Sequence, residues 1–98
     1  MGTDEQLEVE AKVNFHRVEM SEEMKEKALE YVLEAFKENK IEKDVATSVK
    51  RKFDETQGPT WYCIVGKGFG CSVAHDTQHL LFLQVDQTFV LIFKSVDV

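Results

Sequence analysis

The stretch that decides the fold is IEKDVATSVKRKFDETQGPTWYCIV, residues 41–65. Its first half sets Ile41, Val45, Val49 and Phe53 four residues apart, with Ala46 beside them and charged residues between, which is the spacing of one buried helical face. Gly58 and Pro59 then end the helix. Gly suits the left-handed residue after a helix terminus, and Pro cannot continue the hydrogen-bond ladder. Past them the rhythm changes: Trp61 to Val65 is rich in aromatic and β-branched residues, as strands are. A helix therefore passes directly into a strand here.

Reading upstream, Ser21 is a good helix N-cap, and Glu22 and Glu23 put negative charge on the positive end of the helix dipole. Met24, Ala28, Tyr31, Val32, Ala35 and Phe36 repeat at three- and four-residue steps, predicting a first helix that ends near Asn39. Before it, Leu7, Val9, Ala11, Val13 and Phe15 alternate, predicting a strand over part of that stretch. Met1 to Gln6 are polar and predicted to fray. Downstream, strands are predicted over Phe69 to Ala74, Leu80 to Val85 and Thr88 to Phe93. Gly66, Lys67 and Gly68 form one turn, and Asp86 with Gln87 a two-residue hairpin. The order of strand, two helices and four strands is an α+β fold, with the helices packed on a mostly antiparallel sheet.

Composition narrows the functional classes. A chain of 98 residues fits one domain, and a domain this short has a thin stability margin that oligomerisation commonly relieves. A net charge of -6 repels nucleic-acid phosphates and anionic lipid, and the one basic run is Lys50, Arg51, Lys52. No apolar run reaches the roughly 18 residues of a membrane span, and the acidic N-terminal residues do not resemble a signal peptide, so a cytosolic setting is expected. Cys63 and Cys71 lack C-x-x-C spacing and sit in strand-like surroundings, which predicts buried free thiols.

Three chemical readings fail on geometry. Gly66, Gly68 and Gly70 lie between strands and do not open a helix, so they are turn glycines and not a phosphate cradle. Cys71, His75 and His79 recur every four residues, a metal-binding spacing on a helix; four residues of strand span roughly 13 Å, too far for one ion. No Asn, Asp or oxyanion-hole motif accompanies a Cys-His pair in a recognisable arrangement, so no catalytic residue, cofactor or metal is assigned.

Five stretches together carry a family resemblance: Met20-Ser-Glu-Glu-Met24, Ile41-Glu-Lys-Asp44, Pro59-Thr-Trp-Tyr-Cys-Ile-Val-Gly66, Phe69-Gly70 with His75, and Phe93-Lys-Ser95. From about Val13 to Ser95 the chain resembles the dynein light chains of the small homodimeric hub class. The resemblance implies a light chain domain over residues 13–98 behind a flexible extension at 1–12. It implies a strand-swapped homodimer in which Phe69 to Ala74 crosses to the other subunit, with a dimer interface of Trp61, Tyr62, Phe69, Gly70, Cys71, Ser72 and Val73.

It also implies a peptide groove on each side of the dimer. Gly70, Cys71, Ser72, Val73, Ala74 and His75 would form its open edge, Glu42 and Lys43 its helix end, and Phe69, Phe82 and Gln84 its floor. The implied partners are the dynein intermediate chain and other proteins with Thr-Gln-Thr-like segments, added as an extra strand, in the cytoplasm and on microtubules. An adaptor with its own ligands and no dynein association is the alternative. The family usually has Tyr at the positions of Ser72, Phe82 and Gln84, Thr at Ala74 and His at Tyr62, so several groove hydroxyls are missing here. That departure bears on selectivity more than on architecture.

Overall fold

Local chemistry sets both helices. Ser21 accepts the Met24 N–H at 3.1 Å and starts α1 (Glu22–Glu38), and Asn39 closes it by returning its backbone N–H to the Ala35 carbonyl. The second helix, α2 (Glu42–Gln57), ends at Gly58 with φ of 80°, a conformation that disfavours any side chain. The structure, a computed structural model, describes residues 12–68 and 79–94. Around the helices run β1 (Val13–Glu19), β2 (Trp61–Gly66), β3 (Leu80–Val85) and β4 (Thr88–Lys94). The predicted strand over Phe69 to Ala74 lies outside the described residues.

The sheet has the order β1-β3-β4-β2, and every pairing in it is antiparallel. Asp86 sits in the left-handed region at φ of 55° and makes the β3–β4 turn that Asp86-Gln87 predicts. Alternation then sorts the side chains onto two faces. Phe15, Leu81, Leu83, Val90, Ile92, Cys63 and Val65 point toward the helices, where Ala28, Val32, Ala35, Val45, Val49 and Phe53 meet them in the core.

Two expectations are corrected. The first strand reaches Glu19, past the alternating stretch, because a bulge between Phe15 and Arg17 resets the register and returns Val18 to the side of Leu81. Ile41 was expected on the buried face of α2, but it is the extended residue before the first turn and is 61% exposed.

Asp54 fastens α2 to β2. Its carboxylate accepts the Trp61 N–H at 2.9 Å and the Lys50 ammonium at 2.6 Å, while the rings of Phe53 and Trp61 pack 4.6 Å apart. Desolvation raises the Asp54 carboxyl, but the hydrogen bonds from Lys50 and Trp61 and the Lys50 charge outweigh it, and its pKa falls below the ordinary carboxylate value. A lowered folded-state pKa stabilises the fold above the unfolded value and loses that contribution as pH falls through the folded one. Chemical denaturation of Asp54→Ala should therefore show a loss of about 1 kcal/mol at neutral pH, the scale of one surface-screened charged hydrogen-bond pair. The difference from wild type should shrink below about pH 4. A pH-independent difference would mean that the carboxylate charge contributes nothing.

Candidate functional site

The face of the sheet turned away from the helices is apolar where a solvated face would be polar. Its cross-strand rows run Glu19–Leu80–Phe93–Tyr62, Arg17–Phe82–Leu91–Ile64 and Asn14–Gln84–Phe89–Gly66. Leu80 and Leu91 are buried although they stand outside the helix-side core. Tyr62 at 43% and Ile64 at 45% exposure end their rows on β2, and Tyr62 stacks on Phe93 at 5.4 Å. Leu80 and Leu91 are thus shielded within the chain, and the large apolar side chains left open on this face are the adjacent pair Tyr62 and Ile64 at its β2 edge, a patch of the kind that marks an interaction surface.

Of the predicted floor residues, Phe82 and Gln84 do lie together on this outer face. The residues predicted at the helix end of the groove, Glu42 and Lys43, lie on the other side of the sheet. Glu42 is the first residue of α2, and Ile41 before it gives no side-chain cap; the Asp44 N–H turns back to the Ile41 carbonyl at 2.9 Å. Glu42 Oε2 stands 3.8 Å from Lys67 Nζ, which in turn donates to Thr88 Oγ1 at 3.1 Å at the start of β4. That clip ties the start of α2 to the turn leaving β2. The two sets of predicted groove residues thus share one end of the sheet and occupy opposite faces of it.

Phe69, Gly70, Cys71, Ser72, Val73, Ala74 and His75 lie outside the described residues. Of the two described residues predicted at the dimer interface, Tyr62 is on the outer face, whereas Trp61 is 1% exposed and packed in the chain's own core. The Trp61 ring is therefore not on offer to a second chain, because the pleat turns it to the helix side against Phe53. Its indole N–H, buried and without a hydrogen-bond partner among the described residues, costs about 1–3 kcal/mol that the ring's burial must offset.

Sequence reasoning passed over His16, Lys67 and Phe89. The signal for Phe89 was legible: Phe89 to Phe93 is apolar at every position, which is how a strand covered on both faces reads. His16 is hidden by the bulge that breaks the alternation.

Cys63 is a free thiol on the helix-side face, and burial pushes its pKa up to about 12. In a Cys71→Ser background, where Cys63 is the remaining thiol, it should resist alkylation under native conditions and react fully on unfolding. Native labelling at the rate of a small-molecule thiol would contradict its placement.

A sequence model of the family "dynein light chain type 1" matches residues 12–95. A cytoplasmic dynein light chain of Emericella nidulans is 42% identical over 78 residues, 80% of this chain and 83% of that protein. In fold, the chain is similar to the dynein light chain-like domain of the Fasciola hepatica calcium binding protein FhCaBP2. A native structure of that domain gives a TM-score of 0.76 at 18% identity, covering 91% of this chain and 96% of that one. A mercury derivative gives 0.73 at 20% identity, covering 87% and 93%.

Proposed function

We propose that this chain, which belongs to the dynein light chain type 1 family, works as a non-catalytic homodimeric hub that holds extended partner segments in two grooves, each built from both subunits. The observation that carries this reading is the division of the groove residues between two faces of one sheet: Phe82 and Gln84 on the outer face, Glu42 and Lys43 at the start of α2 behind it. One chain cannot line a single groove with both sets. Two chains stacked on their outer faces can, with the floor supplied by one and the helix end by the other.

The same stacking would cover Tyr62, Ile64 and Phe93. The sheet also ends at β2, whose outer edge pairs with no other described strand, the place where a strand from the other subunit, residues 69–74, is to be added. A partner segment would then extend the sheet by main-chain hydrogen bonds, with pockets for alternate side chains setting selectivity. Two grooves on one dimer hold two chains at once, which raises avidity beyond single-site affinity.

In this reading residues 13–98 form the light chain domain behind an extension at 1–12. The relative named a cytoplasmic dynein light chain supports a place in the cytoplasm with the microtubule motor, where the dynein intermediate chain is the expected partner. The adaptor reading, with other ligands and no motor, draws on the floor itself. Gln84 and Phe82 stand where the family usually has Tyr, and the Gln84 amide is already engaged by the Asp86 carbonyl and His16.

A Thr-Gln-Thr peptide should bind at two sites per dimer in calorimetry, one to two orders of magnitude more weakly than to a light chain with those tyrosines, the effect of losing two or three hydrogen bonds of about 1 kcal/mol each. Absence of binding at millimolar peptide would refute the hub reading.

The shared groove has a sharper consequence. Homodimers of Glu42→Arg and of Phe82→Ala/Gln84→Arg should each lose binding while keeping their mass in sedimentation. Mixed dimers of the two should recover one groove in two, because both defects fall in the same groove. Mixed dimers that recover nothing would place the whole groove within one chain.

A further inference from the structure

The bulge in β1 takes His16 out of the ladder and turns it onto the outer face beside the floor residues. Its ring lies nearly parallel to Phe89, with centroids 5.7 Å apart and planes at 25°, and 5.6 Å from Phe82. Phe82 and Phe89 are themselves 5.8 Å apart. His16 Nε2 stands 2.9 Å from Gln84 Oε1, and Gln84 Nε2 donates to the Asp86 carbonyl at 2.9 Å.

That second bond fixes the first. Flipping the Gln84 amide would set its oxygen against a carbonyl oxygen, so Oε1 must face His16, and His16 Nε2 must carry the proton to meet it. A neutral imidazole has one N–H, which leaves Nδ1 as a bare acceptor beside two aromatic rings. Among the described residues, two charged groups beside this notch are already engaged. The Arg17 guanidinium is tied to Glu19 at 2.6 Å, and Asp86 is exposed, using Oδ1 to hold the Lys12 N–H at 3.1 Å.

We propose that His16, with Phe82 and Phe89, is a specificity-determining residue that receives an arginine side chain from the bound partner segment; this rests on the peptide-groove reading above. Ring faces are electron-rich and attract cations, and a planar guanidinium can stack on them while donating to Nδ1. The Asp86 carboxylate and the net charge of -6 favour the same guest. A carboxylate would instead meet a lone pair and two ring faces, and an aliphatic side chain would use only the rings.

The tautomer is tested first, on the full chain at about pH 8, by ring-nitrogen chemical shifts. Protonated Nε2 with bare Nδ1 is expected, and the opposite tautomer would overturn the proposal. Calorimetry then compares Thr-Gln-Thr peptides carrying Arg, Leu or Glu in turn at each flanking position. At one position Arg should bind about fivefold tighter than Leu, and Glu weaker than both. That preference should vanish in His16→Leu. Equal affinities at every position would overturn the notch and leave the groove standing. Should no peptide bind, N-acetylarginine amide is the probe. Shifts of the His16, Phe82 and Phe89 resonances that His16→Leu abolishes would sustain the notch without the groove, and unmoved resonances would overturn both.

Discussion

A β3–β4 hairpin that is apolar on both faces is the constraint from which the rest follows. Leu81, Leu83, Val90 and Ile92 are satisfied by the two helices, and Leu80, Phe82, Phe89, Leu91 and Phe93 point the other way. With the helices committed to one face, the second face is left to something other than α1 and α2. A short domain gains stability from covering such a face, at roughly 25 cal/mol per Å² of apolar area removed from water. The fold and the proposed assembly thus draw on one two-sided hairpin.

Function is read from the same division. In the proposed hub, a sheet that separates Glu42 and Lys43 from Phe82 and Gln84 would make dimerisation a requirement of the site as well as a stabilising device. The polar contacts that seat α2 against the sheet are local: the Asp54 bonds to Lys50 and Trp61 near its last turn, and the Lys67 link between Glu42 and Thr88 at its start. The proposed floor, in contrast, is aromatic and set by strand register, with the β1 bulge setting His16 beside it. In the proposed groove, main-chain hydrogen bonding would supply general affinity and these side chains the choice of ligand.

Much of this was legible in the sequence because local rules agreed with the fold. Ser21, Asn39, Gly58 and the Asp86-Gln87 turn mark their element boundaries through capping and backbone conformation, and the three- and four-residue spacing of Ala28, Val32, Val45, Val49 and Phe53 names the helix side of the core. Legibility failed where tertiary structure overrides period. The step from Phe15 to Val18 conceals a bulge, and with it His16; Ile41 fits the helical spacing but falls just before the helix begins. Trp61 looks like an interface aromatic from its motif, and only the pleat reveals that it faces inward while Tyr62 faces out. The groove residues came from family resemblance, since no spacing rule relates Glu42 to Gln84 across the thickness of a sheet.

The central claim is that the peptide groove does not exist within a single chain. Placing a charge at Ile64, which is 45% exposed at the β2 edge of the outer face, should break the stacking without entering the helix-side core. Sedimentation of Ile64→Asp with a labelled Thr-Gln-Thr peptide reads mass and binding in one experiment. The account predicts a folded monomer that carries no peptide at concentrations where the wild-type dimer carries two. A monomer of Ile64→Asp that still binds peptide with wild-type affinity would contradict it.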